Sequence, residues 1–410
     1  MILAQAFSNF VLDLDGVLWR GERAIPNAPE TVSSLRDSSK TVLYVTNNSG
    51  ASPAAVAEKL AAMGAPAGAN DVITSATAAS LLIERTIPAI RGRVAYVIGG
   101  PGLIEAMEGL GLRIVEGKDA DDASLVIVGI DKKLTYDKLR HATRAIRAGA
   151  TFIATNTDPT LPAADGLWPG AGAIVAALRT ATGVEPLVAG KPHMPMLDVA
   201  RERLGSAPAL VVGDRVDTDV LGAQAAGWPS ALVLTGATGL ADLAVATAWP
   251  DFILRDVSML LRDLPHPLVR PAAGPDLPTI AKLLHDGGLP AGSARERVGR
   301  TVVAEFDRSV LATAAWEVLD GVALLRSVAV GPKARGFGLG VHVVAGALKG
   351  IANAGVRDVY LVTTDAEGFF KRCGFHVVPR DELPDGVARH PQITRECPSS
   401  APVMRMELPQ

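Results

Sequence analysis

The sequence predicts an α/β protein in two parts: a parallel-sheet region over roughly the first 260 residues, then a smaller mixed α/β domain. Three observations carry this. Short apolar runs alternate with longer helical patterns, and the runs are apolar throughout, as strands covered on both faces require. Polar clusters fall directly after several of these runs, at the strand ends where open α/β sheets bind ligands. Near residues 255–275 the texture changes, and Pro265, Pro267, Pro271 and Pro275 punctuate a stretch that reads as a linker into a new domain.

In chain order, strands are expected at Phe10–Leu14, Val42–Thr46, Val94–Ile98, Leu125–Gly129, Thr151–Thr155, Leu210–Gly213 and Ala231–Thr235. Helical spacing marks Ala54–Met63, Tyr136–Ala148, Gly172–Thr182, Pro195–Leu204 and Asp217–Ala226. Beyond the prolines, Asp276–His285 and Val341–Ala354 read as helices, and Thr301–Phe306, Val310–Trp316, Leu324–Val330 and Val359–Thr363 as strands.

The 410 residues suffice for two or three domains. A hydrophobic content of 48% makes the chain globular in expectation, and with aromatics at 4% the interior falls to Ala, Val, Leu and Gly. A net charge of -3 without like-charge runs argues against nucleic acid or a membrane surface as partner. Cys373 and Cys397 are too few for a disulfide framework, so a reducing, cytoplasmic setting is expected. The opening MILAQAFSNFVLDLDG lacks a basic n-region and reads as a strand entering a site rather than a leader, and no apolar run reaches membrane-span length.

Four clusters carry chemistry. In Asp13-Leu14-Asp15-Gly16, carboxylates two residues apart on a strand end point the same way, and Gly16 lets the chain turn off. One carboxylate can attack phosphorus to form an acyl-phosphate; the other can protonate the leaving alkoxide and then deprotonate water. The alternatives are a solvated turn or a calcium loop, but Val17 and Trp19 offer none of the further oxygen ligands calcium needs. Thr46-Asn47-Asn48-Ser49 offers a hydroxyl, an amide and backbone N–H groups to a phosphate, although such residues also make ordinary turns. In Gly190-Lys191-Pro192 an ammonium can hold phosphoryl oxygens, where a lone lysine is usually solvated. Gly213-Asp214-Arg215-Val216-Asp217-Thr218-Asp219 sets three acids before a helix, which suits either the helix dipole or a Mg²⁺ site of a few carboxylates plus water and phosphate.

Together, in this order, DLDGVLWRG, VTNNS, AGKP and GDRVDTD resemble the four motifs of the haloacid dehalogenase-like (HAD) hydrolases. The likeness covers residues 7–260 and points to the subfamily with a large α/β cap between the second and third motifs, which includes p-nitrophenyl, nucleotide, phosphoglycolate and glycerol-3-phosphate phosphatases. FIATNTDPTLPAADGLWPGAGAIVAAL is similar to the cap-to-core stretch of those enzymes. The resemblance implies a Rossmann-like core at 1–75 and 186–260 with an α/β cap at 76–185. It implies Asp13 as nucleophile and Asp15 as acid/base; Thr46, Asn47 and Lys191 as phosphate binders; and Asp13, the Asp15 carbonyl and Asp214 as Mg²⁺ ligands, with Asp219 supporting the metal. Substrate choice would lie in the cap, around Asp131, Asn156, Asp158 and Trp168, each of which reads equally well as a structural turn residue. The segment most resembles actinobacterial glycerol-3-phosphate phosphatases, so glycerol 3-phosphate leads as substrate and 2-phosphoglycolate follows.

In the last part, Arg335-Gly336-Phe337-Gly338-Leu339-Gly340 lies between a strand and a helix, where glycines and a helix N-terminus suit a pyrophosphate. With LLRSVAV before it and AEGFFKRCGF after it, the loop resembles the GNAT N-acetyltransferase fold across 268–408, and LLRSVAV and CPSSA are similar to arsinothricin-type resistance acetyltransferases. A 261–275 linker and a 276–410 mixed α/β GNAT-like domain follow. Acetyl-CoA would pair its pantetheine arm with the Val328 and Val330 backbone and its pyrophosphate with Arg335, Gly336, Gly338 and Gly340. The family's acid tyrosine is replaced by Phe370. Tyr360 lies on the preceding strand, and Glu305 and Glu317 are candidate bases that also read as ordinary strand carboxylates.

Three readings compete: a bifunctional phosphatase and acetyltransferase; a phosphatase whose last domain stabilises, assembles or senses acetyl-CoA; and a binding protein with a dead phosphatase core, against which the acid set at 13, 15, 214 and 219 argues. The oligomeric state stays open, a homodimer included.

Overall fold

The computed structural model describes residues 2–163, 166–205, 207–290 and 298–409. It contains three main sheets. The first is six-stranded and parallel, in the order Phe252–Leu254, Ser230–Val233, Ala209–Gly213, Asn9–Asp13, Thr41–Thr46 and Val72–Thr74. From the central strand Asn9–Asp13 the chain next builds Thr41–Thr46 on one side and much later Ala209–Gly213 on the other. Strand order therefore reverses at Asp13, the place where such sheets open a binding crevice. Every residue of Asn9–Asp13 is buried, which explains the apolar run Phe10–Leu12 at its centre.

The chain leaves this sheet along the helix Ser75–Thr86, which Thr74 caps by accepting the Thr77 N–H at 3.2 Å. It then builds a five-stranded parallel sheet in the order Leu187–Val188, Thr151–Ala154, Leu125–Val128, Val94–Ile98 and Arg113–Val115. A hairpin of Thr160–Ala163 and Gly166–Pro169 projects from it with Leu167 and Trp168 exposed.

The third sheet has seven strands, ordered Leu268–Pro271, Thr301–Phe306, Ser309–Leu319, Val322–Val330, Asp358–Val362, Val403–Glu407 and His376–Val378. All neighbours are antiparallel except Val322–Val330 and Asp358–Val362. The fold class is the one the sequence predicts: a parallel α/β core, an inserted α/β layer and a mixed α/β domain.

Two local expectations change. The stretch 261–275 contains Leu268–Pro271, an edge strand paired with Thr301–Phe306, rather than linker alone. An edge position tolerates Pro271, which has no N–H to give, so proline density concealed the strand. Asp217–Ala226 is not one helix: Val216–Val220 forms a π-turn before the helix Leu221–Ala226. The carboxylate of Asp219 turns back onto the N–H groups of Asp214 and Arg215, which holds this turn wide.

The first and third sheets share one apolar core. The helix Leu240–Val245 packs against Leu339–Asn353, and Val216, Val220 and Leu243 lie in the same cluster as Val343, Ala347 and Leu348. No helix among the described residues is long and apolar enough to cross a membrane.

Candidate active site

The site forms at the strand reversal. Asp13 ends the central strand, and Lys191 arrives on the loop after the short strand Leu187–Val188 of the second sheet. Its Nζ lies 2.5 Å from Asp13 Oδ1 and 2.7 Å from Asp219 Oδ1, with only 3% of its side chain exposed. Asp13, Asp214 and Asp219 bring carboxylate oxygens within 4.8 Å of one another, all buried.

The electrostatics follow from this crowding. Burial holds the Asp13 carboxyl well above its ordinary range; Lys191 pulls it down, while Asp219 and Asp214 push it up. Asp214 is raised to about 7 by burial and by Asp219. Burial works against the Lys191 charge, but Asp13 and Asp219 outweigh it, and its pKa rises. One ammonium thus faces three carboxylates, a set that accommodates a further cation.

Asp15 is half-buried, and its Oδ1 accepts the indole N–H of Trp19 at 2.9 Å. Burial raises its pKa, and the Trp19 hydrogen bond opposes this. Trp19 is in turn covered by the Lys59 ammonium, 4.8 Å from its ring centroid.

Asp219 is held by three protein donors. Its Oδ1 accepts from Lys191, and its Oδ2 accepts the N–H groups of Asp214 at 3.2 Å and Arg215 at 3.1 Å. Asp214 is held by a segment the sequence reading did not single out. Its Oδ2 accepts the Ala237 N–H at 2.6 Å, and its carbonyl accepts the Thr238 N–H at 3.0 Å. A Cβ at Gly236 would sit 1.9 Å from Asp214 Oδ2, so the chain passes that close only without a side chain. The signal was the TGATG turn after the strand Ser230–Val233.

Thr46 is buried at the end of its strand, and its Oγ1 accepts the Asn48 N–H at 3.1 Å. The Asn47 amide is fully engaged by protein. Nδ2 donates to the Lys191 carbonyl at 3.0 Å and to the Asp158 carboxylate at 3.1 Å, and Oδ1 accepts the Lys191 N–H at 2.9 Å. Its side chain therefore holds the lysine loop and has no donor for a phosphate.

The four cap residues likewise contact protein. Asp131 accepts the Lys133 N–H at 2.8 Å and pairs with Lys138 at 2.5 Å. Asn156 donates to the Asn47 carbonyl at 2.6 Å, and Asp158 faces Asn47. Trp168 stands on the hairpin with Lys132 Nζ 5.4 Å from its ring centroid.

The glycine-rich loop lies in the third sheet's domain. Val322–Val330 and Asp358–Val362 pair at Ala323–Val359 and Leu324–Tyr360, and among the described residues the strand end bearing Val328 and Val330 has no ladder partner on that side. Ser327 lies in the left-handed region at φ 56°, where the ladder to Ser309–Leu319 shifts register, a bulge that bends the strand. Arg335, Gly336 and Gly338 then lead into the helix Leu339–Asn353, with both of these glycines at φ 83°, and Gly340 lies in its first turn. Phe370 is buried between Phe369 and Phe375. Tyr360 lies in an apolar cluster with Leu324 and Val403. Glu305 pairs with Arg270 at 2.6 Å, and Glu317 with Arg326 at 2.8 Å and His390 at 3.3 Å, so both candidate bases are engaged in ion pairs.

Comparison with known proteins places these features. Residues 10–113 match the model of the haloacid dehalogenase-like hydrolases, 188–260 the HAD-hydrolase-like model and 271–375 the acetyltransferase (GNAT) family. The chain is 40% identical over 276 residues to the D-glycerol 3-phosphate phosphatase of Mycobacterium tuberculosis, covering 66% of this chain and 76% of that protein. It is 35% identical over 260 residues to an acid sugar phosphatase of Staphylococcus saprophyticus, covering 63% of this chain and 98% of that one. Among solved structures, the M. tuberculosis glycerol phosphate phosphatase in complex with magnesium aligns with a TM-score of 0.69 at 32% identity, over 91% of this chain and 98% of that one. A hypothetical protein of Pyrococcus horikoshii aligns with a TM-score of 0.59 at 40% identity, over 62% of this chain and 98% of that one. The chain belongs to the haloacid dehalogenase-like hydrolases, as a phosphoric monoester hydrolase with a C-terminal domain of the GNAT acetyltransferase family.

Proposed function

We propose that the protein is a Mg²⁺-dependent phosphatase that hydrolyses a small phosphate monoester, glycerol 3-phosphate first and 2-phosphoglycolate second, through an aspartyl-phosphate on Asp13. The observation that carries this is the Lys191 ammonium set between Asp13 and Asp219, beside Asp214, at the strand reversal. Substrate choice rests on the named activity of the M. tuberculosis relative.

The donor set fits a hard divalent cation. Buried carboxylates that a single lysine leaves short of positive charge are stabilised in ionised form by such an ion. Asp13, the main-chain carbonyl of Asp15 and Asp214 would hold Mg²⁺, with Asp219 fixing Lys191 and the metal loop. When bound, the ion neutralises phosphoryl charge and orients the ester.

The chain's own residues supply the rest. An Asp13 oxygen attacks phosphorus while the bond to the leaving oxygen breaks, and Asp15 delivers a proton to that oxygen. Asp15 then takes a proton from water, which attacks the acyl-phosphate, releases phosphate and restores Asp13. Burial raises the pKa of Asp15, in the direction that suits a group that must deliver a proton. Thr46 Oγ, backbone N–H groups of its loop and Lys191 Nζ would bind phosphoryl oxygens.

The splayed strand, bulge and Gly336–Gly340 turn fit an acyl-CoA, so acetyl-CoA is the ligand we assign to the last domain. Whether the domain transfers the acetyl group is a separate matter. Phe370, with Glu305 and Glu317 engaged in ion pairs, favours a second reading in which acetyl-CoA binds for regulation or assembly.

A phosphate-release screen with Mg²⁺ over glycerol 3-phosphate, 2-phosphoglycolate, nucleotides and sugar phosphates tests the substrate. Highest kcat/KM on glycerol 3-phosphate is expected, and preference for a nucleotide would overturn it. Calorimetry with acetyl-CoA tests the last domain: binding is expected, and no heat would remove the ligand.

A further inference from the structure

Asn47 joins three parts of the molecule. Its main-chain carbonyl accepts from Ser75 Oγ and from Asn156 Nδ2, each at 2.6 Å. Ser75 opens the helix that leaves the first sheet, and Asn156 lies just after the second-sheet strand Thr151–Ala154. The exit from the first sheet and a loop at the end of a second-sheet strand therefore meet on one carbonyl.

The Asn47 side chain faces the other way, onto Lys191. It grips that residue's main chain from both sides, accepting its N–H and donating to its carbonyl. Space there is tight, since a Cβ at Gly190 would lie 2.5 Å from Asn47 Oδ1. The remaining Nδ2 hydrogen points at Asp158, whose two carboxylate oxygens are each 3.1 Å away. Asp158 is itself fixed, because its N–H donates to Asn156 Oδ1 at 3.1 Å. A carboxylate only accepts, so Asp158 dictates which end of the amide faces it, and with that the orientation that fits Lys191.

We propose that Asp158 is a positioning residue of the phosphatase site. It acts through the Asn47 amide on the main chain of Lys191, and it aligns the phosphoryl-binding ammonium only while the 155–158 segment is docked on the first sheet. The role rests on the phosphatase reading above. It gives this cap-side acid a task on the phosphoryl group that all substrates share, in place of contact with the leaving group that differs between them.

The test uses full-length Asp158→Ala and Asp158→Asn, with Mg²⁺, on p-nitrophenyl phosphate and glycerol 3-phosphate. Orthovanadate serves as an inhibitor that resembles the transferred phosphoryl group and has no leaving group. Asp158→Ala is expected to lower kcat on both substrates by one common factor, about ten- to a hundredfold, and to weaken vanadate inhibition by a similar factor. Asp158→Asn keeps an acceptor for Asn47 and is expected to recover most of the loss. Asn47→Ser is expected to reproduce the loss, with the double variant no worse than either single one. Should Asp158→Ala not fold, Asp158→Ser carries the same expectation. A fall confined to one substrate with vanadate unaffected would overturn the proposal, as would equal losses in the Ala and Asn variants or no loss at all. Absence of Mg²⁺-dependent turnover in the wild type would instead remove the phosphatase reading itself, so the two failures are distinct.

Discussion

Lys191 and Asp13, 178 residues apart in the chain, lie 2.5 Å apart in the fold. The lysine is fully buried against two acids, so its removal leaves carboxylates without a partner. Lys191→Met is expected to lower stability in EDTA by about 3–5 kcal/mol, as breaking a buried pair does. Mg²⁺ should restore part of that by supplying charge to the same acids. Thermal melts with EDTA and with Mg²⁺ check this, and a variant equally stable in both contradicts the charge argument.

Asp214 depends on the absence of a side chain at Gly236. In Gly236→Ala the new Cβ would lie 1.9 Å from Asp214 Oδ2 and must push the carboxylate away or displace the Ala237 N–H that holds it. Turnover at fixed Mg²⁺ should fall by about a hundredfold, and the Mg²⁺ concentration for half-maximal activity should rise. Unchanged Mg²⁺ dependence would place the metal elsewhere.

The joint apolar core makes the phosphatase core and the C-terminal domain one folding unit in part. Leu348 is fully buried in the cluster that also holds Val216 and Leu243. Leu348→Ala should cost about 2–5 kcal/mol. The loss should appear in the unfolding of both domains, read by calorimetry as one shifted transition. Two transitions, of which only one moves, would show that the shared core does not couple them.

Arg270 ties the edge strand to Asp276 and Glu305, and its hydrogen bonds hold the Asp276 carboxyl below the ordinary value of 3.8. A depressed folded pKa means stability that is present above the ordinary value and lost as pH falls through the folded one. Asp276→Asn should therefore lower the melting temperature at neutral pH, and the gap to wild type should close on acidification below the ordinary value. Arg270 is partly exposed, so solvent screens the pair and the effect should be modest and salt-sensitive.

Much of the site was legible because its acids and its lysine sit in short contiguous motifs at strand ends. Asp13, Asp15, Lys191 and Asp214 announce themselves by residue type and by place after an apolar run. What escaped reading was carried by backbone or by partners far along the chain. Ala237 contributes an N–H that no side chain marks, and Gly236 contributes an absence. The amide of Asn47 reads as a phosphate donor until the structure shows Asp158 and Lys191 using it. The π-turn at Val216–Val220 reads as a helix start because its cause, Asp219 bonding back to the main-chain N–H groups of Asp214 and Arg215, leaves no mark on the apolar spacing. The edge strand Leu268–Pro271 was hidden by its proline, and the joint core by the lack of any local signature.

The central claim is that Asp13 attacks phosphorus in a Mg²⁺-dependent reaction. The most direct measurement is p-nitrophenyl phosphate hydrolysis by wild type and Asp13→Asn, each with Mg²⁺ and with EDTA, after confirming that both are folded. Wild-type turnover should require Mg²⁺, and Asp13→Asn should lose at least about a thousandfold, since an amide cannot replace the nucleophile. Undiminished Mg²⁺-dependent turnover in Asp13→Asn would contradict the account.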